Sequence, residues 1–229
     1  MQKLVGRWAP LLLVATLAVL AISSVSAMLG DITAHQAVRQ ERRWFQGAPV
    51  TDLQWRAAES NLKKALGYSP SHPDYLRGLG RLSSWFFSVS DGVGAETSAS
   101  TGQQGLDYLR QLTGQRPYWP DGWSDLALLK SQLGEFDDEF DQAFANAFAL
   151  GPNEPQVLLT LSNTALSRWS SLGMASRQQA LQVFARGLQS RGAEMRLLSV
   201  AEKYGMQKAV CLMAAPEKVS GRVRKTCAL

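Results

Sequence analysis

The chain opens with an unbroken apolar run: no charged residue falls between Arg7 and Asp31, and Ala9 to Leu29 supplies 21 residues. At about 1.5 Å of rise per residue, a helix of that length crosses a hydrocarbon layer of roughly 30 Å. Beyond it the pattern changes to helical amphipathicity. Asp31 to Phe45 reads as a helix continuing out of the apolar run, and Leu53, Ala57, Ala58, Leu62, Ala65 and Leu66 mark a further helical stripe. Thr51 and Gln54 are spaced as a capping box ahead of that stripe, and Gly67 is placed to end it in the left-handed conformation. No segment alternates convincingly with period two, so the expected fold class is all-α.

Two readings of the first segment compete. Val25-Ser26-Ala27 puts small residues where a signal peptidase cuts, after the run from Leu11 to Ile22, as in a cleavable leader. Met28 and Leu29 prolong the run and the helical pattern continues past it, which favours an uncleaved membrane anchor over residues 1–29, followed by a juxtamembrane helix over 30–50. Lys3 and Arg7 lie on one side of the span while Arg39, Arg42 and Arg43 lie on the other; a very short basic N-terminus favours an N-in, C-out orientation.

Further along, the punctuation repeats. Pro70 and Pro73 precede Leu76, Leu79 and Gly80; Pro117 and Pro120 precede Trp123, Leu126 and Ala127; Pro152 and Pro155 precede Leu158, Leu161 and Ser162. In each copy the first proline ends a helix and the second occupies the first turn of the next, where its missing N–H costs nothing. Leu76, Trp123 and Leu158 then begin the buried face. The copies recur at 47 and 35 residues, which brackets a two-helix unit of about 34.

At these residues the chain resembles the tetratricopeptide repeat (TPR) family. The best copy runs from Pro120 through Trp123, Leu126, Ala127, Leu133, Gly134, Phe144, Ala147 and Leu150 to Pro152, with one extra residue near Asp137. The other copies depart further. About 13 extra residues lie between Pro73 and Pro120, and Ala180, Phe184, Gly187 and Leu188 follow a six-residue insertion. The resemblance implies antiparallel helix pairs stacked into a short right-handed superhelix over 51–205, a fold that binds partners more often than it catalyses. Ser88 to Gly105, with four Gly, four Ser and two Thr, reads as an exposed insertion between the helices of the first full copy.

Charge narrows the partners. The chain carries 24 Lys+Arg against 19 Asp+Glu over 229 residues. Lys3 and Arg7 precede the apolar run, and Lys218, Arg222, Arg224 and Lys225 stand against Glu217 in the tail, which leaves residues 30–216 with 18 of each sign. A nucleic-acid face would need clustered positives beyond that tail, so nucleic acid is not an expected partner.

Candidate chemistry is sparse. Glu135, Asp137, Asp138, Glu139 and Asp141 read as negative side chains in the first turns of a helix, where the N-terminal partial charge favours them, ahead of a calcium cluster or paired carboxylates for glycoside hydrolysis. Glu59-Ser60 and Gly205-Met206-Gln207 look like pieces of lytic-transglycosylase motifs, but 146 residues separate Glu59 from Gly205 where that family keeps them close. Gly92-Val93-Gly94 has neither the preceding strand nor the sequel of a phosphate loop. His35 and His72 lie far from the two cysteines, without metal-ligand spacing. No catalytic residue, metal site or cofactor is therefore expected.

Trp123 and Trp169 fall on stripes expected to be buried, whereas Tyr118 and Trp119, in a turn between two prolines, are the aromatics expected to be exposed and to meet a partner. Cys211 and Cys227, in the tail over 206–229, are the only cysteines and read either as a disulfide of an exported domain or as two unrelated thiols. One span, a Trp-rich repeat domain and a basic Cys-bearing tail make an overall plan similar to VpsP-like accessory proteins of exopolysaccharide biosynthesis. That resemblance implies a scaffold or adaptor in the bacterial inner membrane, spanning it through residues 9–29, with its soluble domain in the periplasm and its partners in polysaccharide assembly or export. An assembly factor of another envelope complex, such as a secretion or pilus machine, is the alternative adaptor. A periplasmic glycan-cleaving enzyme using Glu59 or the 135–141 cluster is the alternative of another class.

Overall fold

The structure is a computed structural model and describes residues 2–87 and 95–228, with side chains from residue 11 and, after the break at 88–94, from residue 98. Among the described residues there are eleven α-helices, one 3-10 turn and no strand. Compactness divides the chain into two units, Met1–Leu79 and Gly80–Leu229.

The first unit is built on α1 (Gln2–Phe45), with α2 (Asp52–Tyr68) and the start of α3 (Pro73–Phe86). α1 has two characters along one unbroken axis. From Leu11 to Leu29 its large apolar side chains are exposed, and the span is long and apolar enough to cross a membrane. Thr16 and Ser24 within it donate their hydroxyls to the carbonyls of Leu12 and Leu20, each at 2.8 Å, the way a helix satisfies polar groups where water is absent. From Gly30 onward one face is covered: Ala34, Ala37 and Trp44 are buried, and α2 packs on this half. Tyr75 of α3 lies so close to Gly30 that a Cβ there would stand 2.9 Å from its hydroxyl, which donates to Asp31 Oδ1 at 2.6 Å.

α2 shows how a stripe is displaced by what it meets. Its buried face is Trp55, Ala58, Leu62 and Ala65, while Leu53 is 80% exposed and Ala57 is also exposed. Trp55 is in phase with Ala58 and Leu62, three and seven residues on, whereas Leu53, two residues before it, is turned about 200° away. Thr51 Oγ1 accepts from the Gln54 amide at 3.4 Å, but the Gln54 side chain accepts from Gln40 of α1 instead of reaching back, so only half of the capping box forms. Gly67 stays helical. The helix ends at Tyr68, ahead of Pro70.

The second unit comprises the end of α3, then α4 (Ala95–Gln115), α5 (Pro120–Leu133), α6 (Asp138–Leu150), α7 (Pro155–Ser167), the turn Trp169–Ser171, α8 (Met174–Gln189), α9 (Glu194–Lys203), α10 (Gln207–Cys211) and α11 (Gly221–Cys227). Short connections double the chain back on itself, and neighbours pack in succession: α5 on α4, α6 and α7, then α7 on α8 and α9. Phe140, Phe144, Ala143 and Ala147 of α6 and Val157, Leu158, Leu161 and Ala165 of α7 are fully buried in the core.

The insertion expected over Ser88–Gly105 is in part a core helix. Residues 88–94 lie outside the described residues, but α4 begins at Ala95 and buries Gly102, Gly105, Leu106, Leu109 and Leu112. The small residues that suggested a loop serve close approach instead: a Cβ on Gly105 would stand 2.4 Å from Ser83 Cβ, and one on Gly102 2.5 Å from Leu133 Cδ2. The expected tail over 206–229 is likewise docked rather than trailing across its described residues, 206–228, with Val210, Val219 and Val223 buried and Ser220 Oγ donating to Glu194 Oε1 at 2.9 Å.

Candidate functional site

The turn between α4 and α5 is held by backbone and ring contacts. Trp119 N–H donates to Arg116 O at 3.0 Å, and Pro120 supplies the first turn of α5 with a φ already fixed for a helix. Trp123 reaches back over this turn, as helical side chains do, and its indole N–H donates to Pro117 O at 2.8 Å. Trp123 is therefore only half-buried. It stands at the margin of a face formed by Leu126, Ala127, Leu129 and Lys130, rather than buried on it as the sequence pattern suggests. The expected exposed pair divides: Tyr118 is 85% exposed, whereas Trp119 is half-buried with the Arg116 guanidinium 5.1 Å from its ring centroid. Trp169, expected on a buried helical face, lies beyond the end of α7 in the 3-10 turn. It is half-buried there, tilted against Phe184 and capped by Arg177, whose guanidinium also donates to the carbonyls of Trp169 and Ser170.

Two helices that begin with proline each meet a later glycine through the same contact. A Cβ on Gly151 would stand 2.9 Å from Pro120 Cβ, and one on Gly192 would stand 2.9 Å from Pro155 Cγ. In both places the proline ring fills the space a side chain would take.

At the other end of α5 lies a charge network that sequence reasoning did not find. Lys130 is 1% exposed, and its Nζ donates to Glu139 Oε2 at 2.7 Å, Asp137 Oδ2 at 2.9 Å and Glu135 Oε2 at 3.0 Å. The chain can return over Lys130 because Gly134 adopts φ 78°, with Glu135 N–H donating to Lys130 O at 2.9 Å. Arg110 of α4 clamps Glu139 with two bonds of 2.8 Å, and Gln103 donates to Glu135 at 2.6 Å. Asp137 also caps α6 by accepting from the Phe140 amide at 3.0 Å.

Burial works against the Lys130 ammonium, but its bonds to Glu139, Asp137 and Glu135 outweigh that and raise its pKa. Burial likewise opposes the Asp137 charge, yet the Phe140 amide and Lys130 hold that carboxyl below its ordinary range. The Arg110 bonds, joined by Lys130 against desolvation, pull Glu139 down to about 2. Three of the five acidic residues of the run, Glu135, Asp137 and Glu139, thus surround one buried cation. Further along, Asp141 accepts from buried Ser176 of α8.

The remaining candidates are dispersed. Glu59 pairs with Lys63 at 2.8 Å along α2, in the first unit, and Gly205 to Gln207 belong to the second. His72 stacks on Tyr75 with ring centroids 4.0 Å apart, and His35 is exposed. Among the described residues no group of His, Cys, Asp and Glu is arranged to hold a metal ion. Cys211 and Cys227 are joined as a disulfide with Cα atoms 5.4 Å apart, linking α10 to α11. No model of a known protein family matches the chain, and no curated protein matches it.

Proposed function

We propose that the protein is a single-pass, membrane-anchored adaptor whose second unit is a TPR-like stack of helix pairs facing the periplasm, serving exopolysaccharide biosynthesis or export. The observation that carries the adaptor reading is the repeated joint, Pro120 on Gly151 and then Pro155 on Gly192. It lets successive helix pairs dock in the same manner, as stacked repeats require. The uncovered apolar stretch of α1 supports the anchor, and the Cys211–Cys227 bond suits an oxidising compartment such as the periplasm.

In this reading the partner is a protein of the polysaccharide-assembly complex, met through the inner surface of the stack and through Tyr118 on its two-proline turn. The chain contributes no catalysis: Glu59 is engaged by Lys63, and Glu135, Asp137 and Glu139 are engaged by Lys130. The polysaccharide assignment rests on overall plan, through the resemblance to VpsP-like accessory proteins. Cross-linking and pull-down from solubilised membranes test it. Recovery of a polysaccharide polymerisation or export component with the intact chain, weakened by Tyr118→Ala, is expected; recovery of secretion or pilus components would move the adaptor to another machine. Turnover of polysaccharide or peptidoglycan that Glu59→Gln abolishes would replace the adaptor with an enzyme.

A further inference from the structure

The C-terminal end of the second unit is amphipathic in a way its own packing does not use. In α11, Val223 is fully buried and Cys227 turns toward Cys211, while Arg222, Arg224 and Lys225 are exposed around the rest of the helix. In α10, Val210 is buried and Lys208 is exposed on the opposite side. Leu212 follows one turn above Lys208, its N–H donating to Lys208 O at 3.3 Å, and is 81% exposed. Helices of five and seven residues do not hold a geometry alone. The disulfide and the burial of Val210 and Val223 tie these two together, so their exposed cations and the leucine belong to one clasped segment of the chain.

We infer that this disulfide-clasped surface is a second membrane contact, docking on anionic lipid headgroups through Lys208, Arg222, Arg224 and Lys225 while Leu212 enters the interface. Two observations select a lipid surface over a soluble polyanion. A polyanion is bound by the cations alone and gives no role to a leucine in water, whereas an interfacial contact combines basic residues with an apolar one. The same chain also carries a helix long and apolar enough to hold it at a bilayer. Tethering turns a weak surface attraction into a local one of high effective concentration. Within 207–228 Glu217 stands against the five cations Lys208, Lys218, Arg222, Arg224 and Lys225.

The inference rests on α1 lying in a membrane but not on the adaptor reading. Its test uses the intact chain in nanodiscs of phosphatidylcholine alone or enriched in phosphatidylglycerol, with co-elution of protein and disc reporting the anchoring separately. Amide hydrogen exchange over residues 207–228 is expected to slow by at least about tenfold in the anionic discs, since each cation near such a surface contributes about a fivefold gain and two of the four already exceed that. High salt should reverse the effect. Leu212→Ser and the triple change Arg222→Gln, Arg224→Gln, Lys225→Gln should each abolish most of the slowing. Unchanged exchange in α5 and an intact disulfide would show that the fold survives these changes. Equal exchange in both lipids would overturn the inference. Equal protection by soluble dextran sulfate in phosphatidylcholine discs would overturn it too, reassigning the surface to polyanions.

Discussion

Lys130 Nζ lies 2.7 Å from Glu139 Oε2, and the same carboxylate receives Arg110 through both of its oxygens. One glutamate thus joins the end of α5 to the start of α6 and to α4. The buried ammonium is tolerable only because three carboxylates surround it. Lys130→Met removes the cation and leaves Glu135, Asp137 and Glu139 facing one another. We expect a loss of roughly 2 to 3 kcal/mol in urea unfolding, below the value for a fully buried broken pair because the carboxylates are partly solvated.

The same network gives stability a defined pH dependence. The folded-state pKa of Glu139 is lowered to about 2, and that of Asp137 is also lowered. The stabilisation they supply is therefore fully present above their unfolded values near 4 and is lost as pH falls toward about 2. Lys130 is shifted upward, so its contribution persists through neutral pH and falls away only above the ordinary lysine range. Denaturation midpoints measured against pH should decline less steeply below about pH 4 in Glu139→Gln than in the unchanged protein.

The Pro117–Pro120 turn separates stability from recognition. Trp123→Phe keeps most of the ring but deletes the indole bond to Pro117 O, and should cost about 1 kcal/mol of stability. Tyr118→Ala removes an exposed ring and should leave the unfolding midpoint unchanged. If Tyr118 is the hot spot of the proposed interface, its removal weakens partner binding by about 2 kcal/mol, measurable by titration of the intact protein with its partner.

Much of the helical plan was legible because proline punctuation and apolar period act locally. Pro73, Pro120 and Pro155 each begin a helix where the spacing placed one, and Leu76, Leu158, Phe144 and Ala147 are buried as their stripes require. What failed depended on tertiary neighbours. Gly102 and Gly105 look like loop residues until Leu133 and Ser83 are seen against them. Lys130, on an otherwise apolar face, could have signalled a buried cation, but its three carboxylates become neighbours only after Gly134 reverses the chain. Leu53, about 200° of helix from Trp55, is out of phase with Leu62 and Ala65, so a stricter reading of the period would have set it aside.

Reducing the Cys211–Cys227 bond should loosen one end of the molecule before the rest. The bond closes a loop of 16 residues, for which the chain-entropy model gives about 3 kcal/mol. Part of the tail's native packing, Val223 in the core and Ser220 on Glu194, remains to oppose release. Cys227→Ser is therefore expected to speed hydrogen exchange in 207–228 while leaving α5 to α7 protected.

The repeated proline–glycine joint yields the most discriminating substitution. At Gly151 and at Gly192 a methyl group would meet a proline ring at 2.9 Å, and a ring cannot rotate aside as the end of a flexible side chain does. Each Gly→Ala change must therefore move one helix relative to the next, at a cost of roughly 1 to 3 kcal/mol. Gly114, with nothing within 4 Å of its would-be Cβ, lies inside α4, so Gly114→Ala should instead stabilise by a few tenths of a kcal/mol or more through helix propensity. Thermal unfolding of the three variants checks this contrast. If Gly151→Ala and Gly192→Ala matched Gly114→Ala, the two joints would have slack, and the stacked-repeat reading would lose its principal support.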